Sequence, residues 1–572
     1  MSQDGTHGQS RRTFLKAAGS AAAAVSIAGC TGGGGNGGGN NGDGKSLSGT
    51  LIYTRGAPSG TLDPQNTTSG EVAKVTNQFY DQLIKFVPGE NKIEAGLATE
   101  YSLKGTKATL KLREGIKFHN GDEFTAEDFK ATYRRFADPS YKYYPGKTYI
   151  SAYGPITLGN WVKSVKVKGK YDLEINLKQK YAPFLRNLAM FASAVLSKKA
   201  IKEKTTITKK NGKKKVKTTL NKEPVGTGPF KLEEYESNGQ RILLVGNKNY
   251  WGEGPKLAKI VFNAIQKNST RAQTLISGKA DIIDGLGTNS TQMVENASDV
   301  SLETFKGMNV GYMAFNMDRF KPFRKKKVRR AINYAVNTEV LVNNIFKGIA
   351  EQASQPIPST VLGFNEKLDP YPYDPKKAKQ LLREAGYGDG LKFELSTFKN
   401  PRGYNPSPVR AAQQVRSDLS KVGIDITINQ MSFEPFISYT AAGKHDACFL
   451  GWYSDNGDPD NFYYSLLHPG VKEKKIPKGQ DWVSFDTKGY NTLNVSAWAN
   501  REFMDIVEEA QVTYDKGKRK KLYQQAGKIS HDEAPWVFMD YAKGLRGVSK
   551  TVSGYIPAAV GGPFLNLVSV SK

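Results

Sequence analysis

Residues 451–467, GWYSDNGDPDNFYYSLL, gather Asp455, Asp458 and Asp460 in one short stretch, and Arg402 lies upstream in Pro401-Arg-Gly-Tyr-Asn-Pro406. Carboxylates this close can cage a divalent cation, act as an acid–base pair, shape a turn or neutralise a cation. A calcium loop of the EF-hand type needs a glutamate late in the loop, and none follows at that spacing. A glycosidase pair must flank the scissile bond from opposite faces, which two acids in one tight loop do not do by themselves. Asn456-Gly457 and Asp458-Pro459 are turn formers, and Asp460-Asn461 reads as the cap of a helix carrying Tyr463 to Leu467. On residue type alone, Asp455 is another turn acid or the counter-charge of something cationic. Arg402 is a surface arginine or a planar fork for a carboxylate.

Other chemistry is thinly represented. The 5 histidines are scattered at His7, His119, His445, His468 and His531. No H-E-x-x-H, G-x-S-x-G or S-x-x-K constellation appears with its supporting context, so no enzymatic activity and no cofactor or metal is expected. The 2 cysteines, Cys30 and Cys448, exclude a disulfide framework and a Cys-rich zinc site. Cys448 stands in the apolar run Ala447-Cys-Phe-Leu450 and reads as a small core hydrophobe.

The elements that position these residues follow from periodicity. That apolar run predicts a core strand feeding the acidic loop. Strand patterns recur at Leu51-Ile-Tyr-Thr54, Ala108 to Arg113, Leu391 to Leu395 and Ile424 to Ile428. Helical patterns cover Val72 to Phe86, Arg271 to Ser277, Lys326 to Phe346, Pro375 to Ala385, Ser407 to Val422 and Ala497 to Thr513, and Thr125 or a neighbour caps a further helix. Alternating helices and strands over 572 residues predict an α/β or α+β protein with more than one lobe. Residues 202–222 hold nine lysines whose centre, Lys209 to Lys215, reads as a solvated hairpin tip. Two strand ends that turn into loops, Tyr53 to Ala57 with Arg55 and Gly56, and Gly451 to Tyr453, offer edges to which an extended peptide could add.

A net charge of +28 fits nucleic acid, an anionic surface or a basic exported protein. The charge is spread along the chain with no basic recognition helix, so nucleic acid is not the expected partner. Ser10-Arg-Arg-Thr-Phe-Leu-Lys16 is a twin-arginine export signature, and the apolar stretch after it is shorter than the roughly 20 residues of a permanent span. It ends in Ile27-Ala28-Gly29-Cys30, which resembles a lipobox and implies that Cys30 carries lipid. Thr31 to Lys45 is nearly all Gly, Asn and Asp, a flexible tether. Within it, Gly39 to Ser46 spells G-x-x-x-x-G-K-S, but a phosphate loop must follow a strand and open a helix. The match is compositional.

Leu112-Arg-Glu-Gly-Ile-Lys-Phe-His-Asn-Gly-Asp-Glu-Phe-Thr-Ala-Glu-Asp128, Pro224-Val-Gly-Thr-Gly-Pro-Phe230, Asn249-Tyr-Trp251, Phe315-Asn316, Val328 to Ala335 and Tyr373-Asp-Pro-Lys-Lys-Ala378 resemble, in order, the peptide/nickel class of ABC-transporter substrate-binding proteins. Asn337 departs from the class, where an acid is usual; only a changed helix cap is expected there. Gly451-Trp452, Asp455 to Phe462 and Arg402-Gly-Tyr-Asn-Pro406 are most similar to its dipeptide-binding branch. The resemblance implies a two-lobe α/β clamp. Residues 1–29 would be the signal, 30–47 the lipidated cysteine and linker, and 48–300 the large lobe with an inserted subdomain at about 83–221. Residues 301–540 would be the second lobe, and 541–572 a return to the first. It further implies an exported, lipid-anchored monomer that delivers a short peptide to a membrane permease with cytoplasmic ATPases; oligopeptide, haem, a nickel chelate or an oligosaccharide are the alternatives.

Within that resemblance Asp455 takes the ligand ammonium and Arg402 its carboxylate. The residue types suit the task, because a dipeptide is a zwitterion and each charge enclosed in a dry cleft needs an opposite partner. Two fixed partners would make a ruler, since each further residue lengthens an extended peptide by about 3.3–3.6 Å. Strand addition would leave ligand side chains unread, with Trp452, Tyr404, Phe398 and Phe433 as candidate cavity walls.

Overall fold

Two stretches of the chain are buried from end to end, Asn309–Phe315 and Trp536–Ala542. In the computed structural model, which describes residues 46–210 and 213–571, they pair antiparallel at the centre of a sheet. That sheet has six strands, ordered Ala350–Gln352, Trp536–Ala542, Asn309–Phe315, Ala447–Tyr453, Leu391–Phe398 and Ile424–Met431. A second sheet of seven runs Phe230–Glu236, Arg241–Gly246, Leu257–Ala264, Ser48–Arg55, Ile282–Ile283, Gly544–Ser549 and Val300–Phe305. Each sheet mixes parallel with antiparallel pairing and is flanked by helices, the two-lobe α/β clamp that the family resemblance implies. A four-stranded antiparallel sheet from Ala98–Lys104, Lys107–Leu112, Val162–Gly169 and Asp172–Leu177 is inserted in sequence between strands of the first lobe.

The chain crosses between the large sheets twice, after Phe305 and after Ala542. The crossings run side by side, because Phe305 pairs with Gly544 in one sheet and Gly311 with Asp540 in the other. Asn309 ties them together: its Nδ2 donates to the Ala542 carbonyl at 2.8 Å, and its Oδ1 accepts from the Ala542 amide at 2.8 Å. A Cβ on Gly307 would lie 2.4 Å from the Ala542 carbonyl oxygen, so only glycine fits where the strands pass.

Local chemistry explains most element ends. Thr125 and Asp128 form a capping box for Ala126–Ala137. Asn337 Oδ1 accepts from the Val340 amide at 3.0 Å, so the cap survives the missing acid. The helical pattern at Lys326 to Phe346 is interrupted there: a helix spans Lys326–Ala335 and shorter turns follow. The pattern from Val72 to Phe86 also overreaches. The helix is Gly70–Thr76, and Ile84–Phe86 is a strand. Beyond Thr76 the side chains of Asn77 and Gln78 donate to the carbonyls of Gly561 and Pro563, so packing against the C-terminal segment overrides propensity. An 18-residue helix, Lys516–Glu533, was not predicted.

The lysine run forms the hairpin Thr205–Lys210 and Lys213–Thr218. The twin-arginine stretch, Cys30, the linker and most of the phosphate-loop-like match lie outside the described residues. No described helix is long and apolar enough to cross a membrane.

Candidate functional site

Ala447–Tyr453 carries the site. It pairs with Asn309–Phe315 throughout, but with Leu391–Phe398 only at Ala447 and Cys448. The two strands then diverge, and the register between them stops at Cys448, leaving the outer edge toward Tyr453 unpaired with a strand among the described residues. Cys448 is fully buried, as its apolar neighbours suggest.

Into the divergence folds the turn Arg402–Asn405, closed by paired backbone bonds between its end residues at 3.0 and 2.9 Å. Tyr404 lies on Gly451, where a Cβ would meet its ring at 2.3 Å, and its ring centroid is 5.9 Å from that of Tyr453. Gly403 sits beneath the Tyr453 hydroxyl. Arg402 is exposed, with its guanidinium carbon 3.4 Å from the centroid of Phe433, and Phe433, Phe398 and Tyr404 continue the aromatic wall at 5.6 and 6.1 Å. Tyr453 stays 45% accessible, yet burial raises its phenol above the ordinary value. The Arg546 charge, from the crossing strand of the first lobe, opposes that rise at Tyr453 as it does at Tyr53.

Three aspartates in one loop meet three environments. Asp458 is buried and bidentate to Arg519, both bonds 2.7 Å; burial opposes its ionisation, but the guanidinium wins and holds its carboxyl below the usual range. Asp460 accepts from Tyr181 of the inserted subdomain at 3.2 Å, and burial, helped by Asp458, pushes it up to about 7. Asp455 accepts a short hydrogen bond from the Tyr153 hydroxyl, again from the inserted subdomain. No cation pairs with Asp455 among the described residues, and burial pushes its carboxyl up to about 6 against the pull of that bond.

The loop carrying these acids is gripped from the first lobe. Arg186 donates to the Asn456 carbonyl at 2.8 Å, Asn91 to the Gly457 carbonyl at 2.9 Å, and the Asn456 amide group to Asn187 at 2.9 Å. Gly457 has φ +65°, and a Cβ there would meet Asn91 Oδ1 at 2.0 Å.

Several expectations need correction. Asp460 and Asn461 are not caps; they open the helix Asp460–Leu467, while Asp458 Oδ1 accepts the Asp460 amide at 2.9 Å. Asn461 Oδ1 instead braces the site, accepting from Trp452 Nε1 at 2.9 Å and from the Asp455 amide at 3.3 Å. Asp458 is more than a turn former, since it closes a buried ion pair. The edge at Tyr53 is not open: Tyr53 and Thr54 are paired on both sides. The Arg55 side chain is fully buried, and its guanidinium donates to the carbonyls of Ala57, Glu71 and Gly239, so no charge there is free for a ligand. Gly56 sits against the Arg271 guanidinium.

Thus Arg402, Tyr404, Phe433, Gly451, Trp452, Tyr453 and Asp455 are brought into one connected region, whereas Arg55 and Gly56 belong to the other lobe. Tyr153, Asn461 and Arg546 were not anticipated. Only Asn461 offered a sequence signal, its place in the acidic loop. Among the described residues no group of His, Cys, Asp and Glu could hold a metal ion.

Comparison with known proteins places the chain in a family. Residues 92–474 match the model for bacterial extracellular solute-binding proteins, family 5. The chain is 30% identical to the dipeptide-binding protein of Escherichia coli K12, over 91% of this chain and 94% of that one. It is 32% identical to heme-binding protein A of Haemophilus influenzae, over 90% and 91%. The structure of the ABC transporter-associated periplasmic binding protein DppA from Helicobacter pylori, in complex with the peptide STSA, superposes with a TM-score of 0.77 at 30% identity, covering 92% of this chain and 99% of that one.

Proposed function

Because the chain belongs to family 5 of the bacterial extracellular solute-binding proteins, we propose that it is the extracytoplasmic receptor of an ABC importer that captures short peptides by their charged ends. The observation that carries this reading is Asp455. A carboxyl held at about 6 by burial, with a phenol as its one side-chain donor, is an anion awaiting a cation. A peptide ammonium supplies that charge, and the Tyr153 hydroxyl closes over the pair from the other lobe. The open edge at Phe449 to Tyr453 takes the peptide backbone, which leaves side chains largely unread. Arg402 is the partner for the carboxylate, reached by swinging off Phe433.

Dipeptides are the ligand this arrangement serves best, consistent with the name of the Escherichia coli relative. The Helicobacter pylori protein holds a longer peptide, STSA, so the carboxylate end is the one expected to tolerate length. The Haemophilus influenzae relative is named for haem, but a half-buried carboxylate without a counter-ion favours an amine-bearing ligand. The receptor performs no chemistry and passes its cargo to a permease with cytoplasmic ATPases. Twin-arginine export and a lipid on Cys30 would hold it, as a monomer, on the outer face of the membrane.

Calorimetry with one dipeptide in free, N-acetylated and C-amidated forms tests the reading. The free form should bind at least about tenfold more tightly than the acetylated one, the cost of losing a charge-assisted partner. Equal affinities would remove Asp455 from the ligand. Native mass spectrometry of the purified protein should find a co-purified mass in the dipeptide range; haem or sugar would redirect the assignment.

A further inference from the structure

The strand Trp536–Ala542 is apolar except at Asp540, whose side chain is fully buried. Other buried acids have visible partners: Asp458 has Arg519, Asp460 has Tyr181, and Asp81 receives Trp251, Thr227 and Tyr250. Asp540 has none. Neither carboxyl oxygen has a hydrogen-bond partner among the described residues, and no salt bridge reaches it.

What it faces is another acceptor. Across the sheet Asp540 is in register with Gly311, and the point where a Gly311 Cβ would stand lies 2.3 Å from Asp540 Oδ1 and 2.5 Å from the Tyr404 carbonyl oxygen. Two oxygens rich in lone pairs therefore converge on one dry space, which is unfavourable unless a proton lies between them. Two neighbouring donors are committed elsewhere: Gln352 donates to Thr338, and the Tyr541 hydroxyl donates to the Gln355 carbonyl. The Tyr404 carbonyl belongs to the turn that carries the exposed Arg402.

We propose that Asp540 is a positioning residue that, as a neutral acid, donates a hydrogen bond to the Tyr404 carbonyl and so fixes the Arg402–Asn405 turn beside the ligand cleft. The titratable and charged groups around it are the phenols of Tyr453 and Tyr541, with Arg546 beyond Tyr453. Burial moves the Asp540 carboxyl well above the ordinary carboxylate range, in keeping with the neutral form. The link to Arg402 rests on the peptide-clamp reading; the protonation state does not.

Infrared difference spectroscopy at neutral pH, wild type minus Asp540→Asn, tests the proton without any ligand. The carbonyl stretch of a neutral carboxylic acid should be present and assigned to Asp540 by its loss in the variant; its absence would overturn the inference even if peptides bind. Peptide titrations test the positioning. Asp540→Asn, which keeps a donor, should stay within about threefold of wild type, whereas Asp540→Leu should lose about tenfold for a free dipeptide. The Leu variant should lose less for the C-amidated dipeptide, because the displaced turn carries the carboxylate partner. Equal losses for both peptides, or a Leu variant that binds like wild type, would reduce Asp540 to packing. If the Leu variant does not fold, the infrared comparison with Asn still decides the proton.

Discussion

The two ends of the candidate site are built differently. Asp455 stands in a loop pinned by the Asp458–Arg519 pair beneath it, by Asn461 beside it, and by Arg186, Asn91 and Asn187 from the opposite lobe. Arg402 is itself exposed, at the outer end of a turn whose Tyr404 and Asn405 are buried, and rests on Phe433. One pole is preorganised, and its charge is held in place before any ligand arrives. The other is adaptable and must be drawn in. On the peptide-receptor proposal, a site made this way would read the amino terminus strictly and the carboxyl terminus loosely, which weakens the idea of a rigid dipeptide ruler.

The contrast can be broken from the firm side first. Asp458→Ala should strand the buried Arg519 charge and cost about 3–5 kcal/mol of stability in urea denaturation. A loss below about 1 kcal/mol would mean that the loop is held mainly by the other lobe. Asp455→Ala should not lower stability at neutral pH, since it removes a carboxylate whose ionisation the fold disfavours, and should remove about 2–5 kcal/mol of peptide affinity by calorimetry. Acidity should act on the same pole. The folded carboxyl of Asp455, at about 6, lies above its unfolded value, so its ionisation destabilises the empty protein as pH rises from about 4 through 6. Ligand binding needs the ionised form, so affinity should fall about tenfold per pH unit below 6, and Asp455→Asn should flatten that slope. The soft pole should respond least. Arg402→Ala is expected to cost about 1 kcal/mol or less for a tetrapeptide and somewhat more for a dipeptide, and an equal loss for both lengths would restore the ruler.

Much of the frame was legible because it obeys short-range rules. Ile424 to Ile428 and Ala108 to Arg113 alternate as half-buried strands should, and the helices after Pro375 and Ser407 start within a residue of their predicted positions. The helix Lys516–Glu533 escaped notice because lysines and glycines blur its apolar stripe. In the site, residue type pointed to Asp455 and Arg402, but types do not report partners. Asp458 resembles an ordinary turn acid until Arg519 is brought to it across 61 residues, and Tyr153 reaches Asp455 across 302. Such pairings exist only once the lobes have folded, and no periodicity encodes them. Arg55 failed for the same reason, since its guanidinium is taken up by carbonyls that only the tertiary fold supplies.

The paired crossings between the sheets have a mechanical corollary. Two covalent tethers held about 5 Å apart by Asn309 allow bending about the line that joins them while resisting torsion. Opening and shutting should then approximate travel along a single coordinate, so one inter-lobe distance, followed by a pair of spectroscopic labels, would suffice to count how many receptors in a population are loaded.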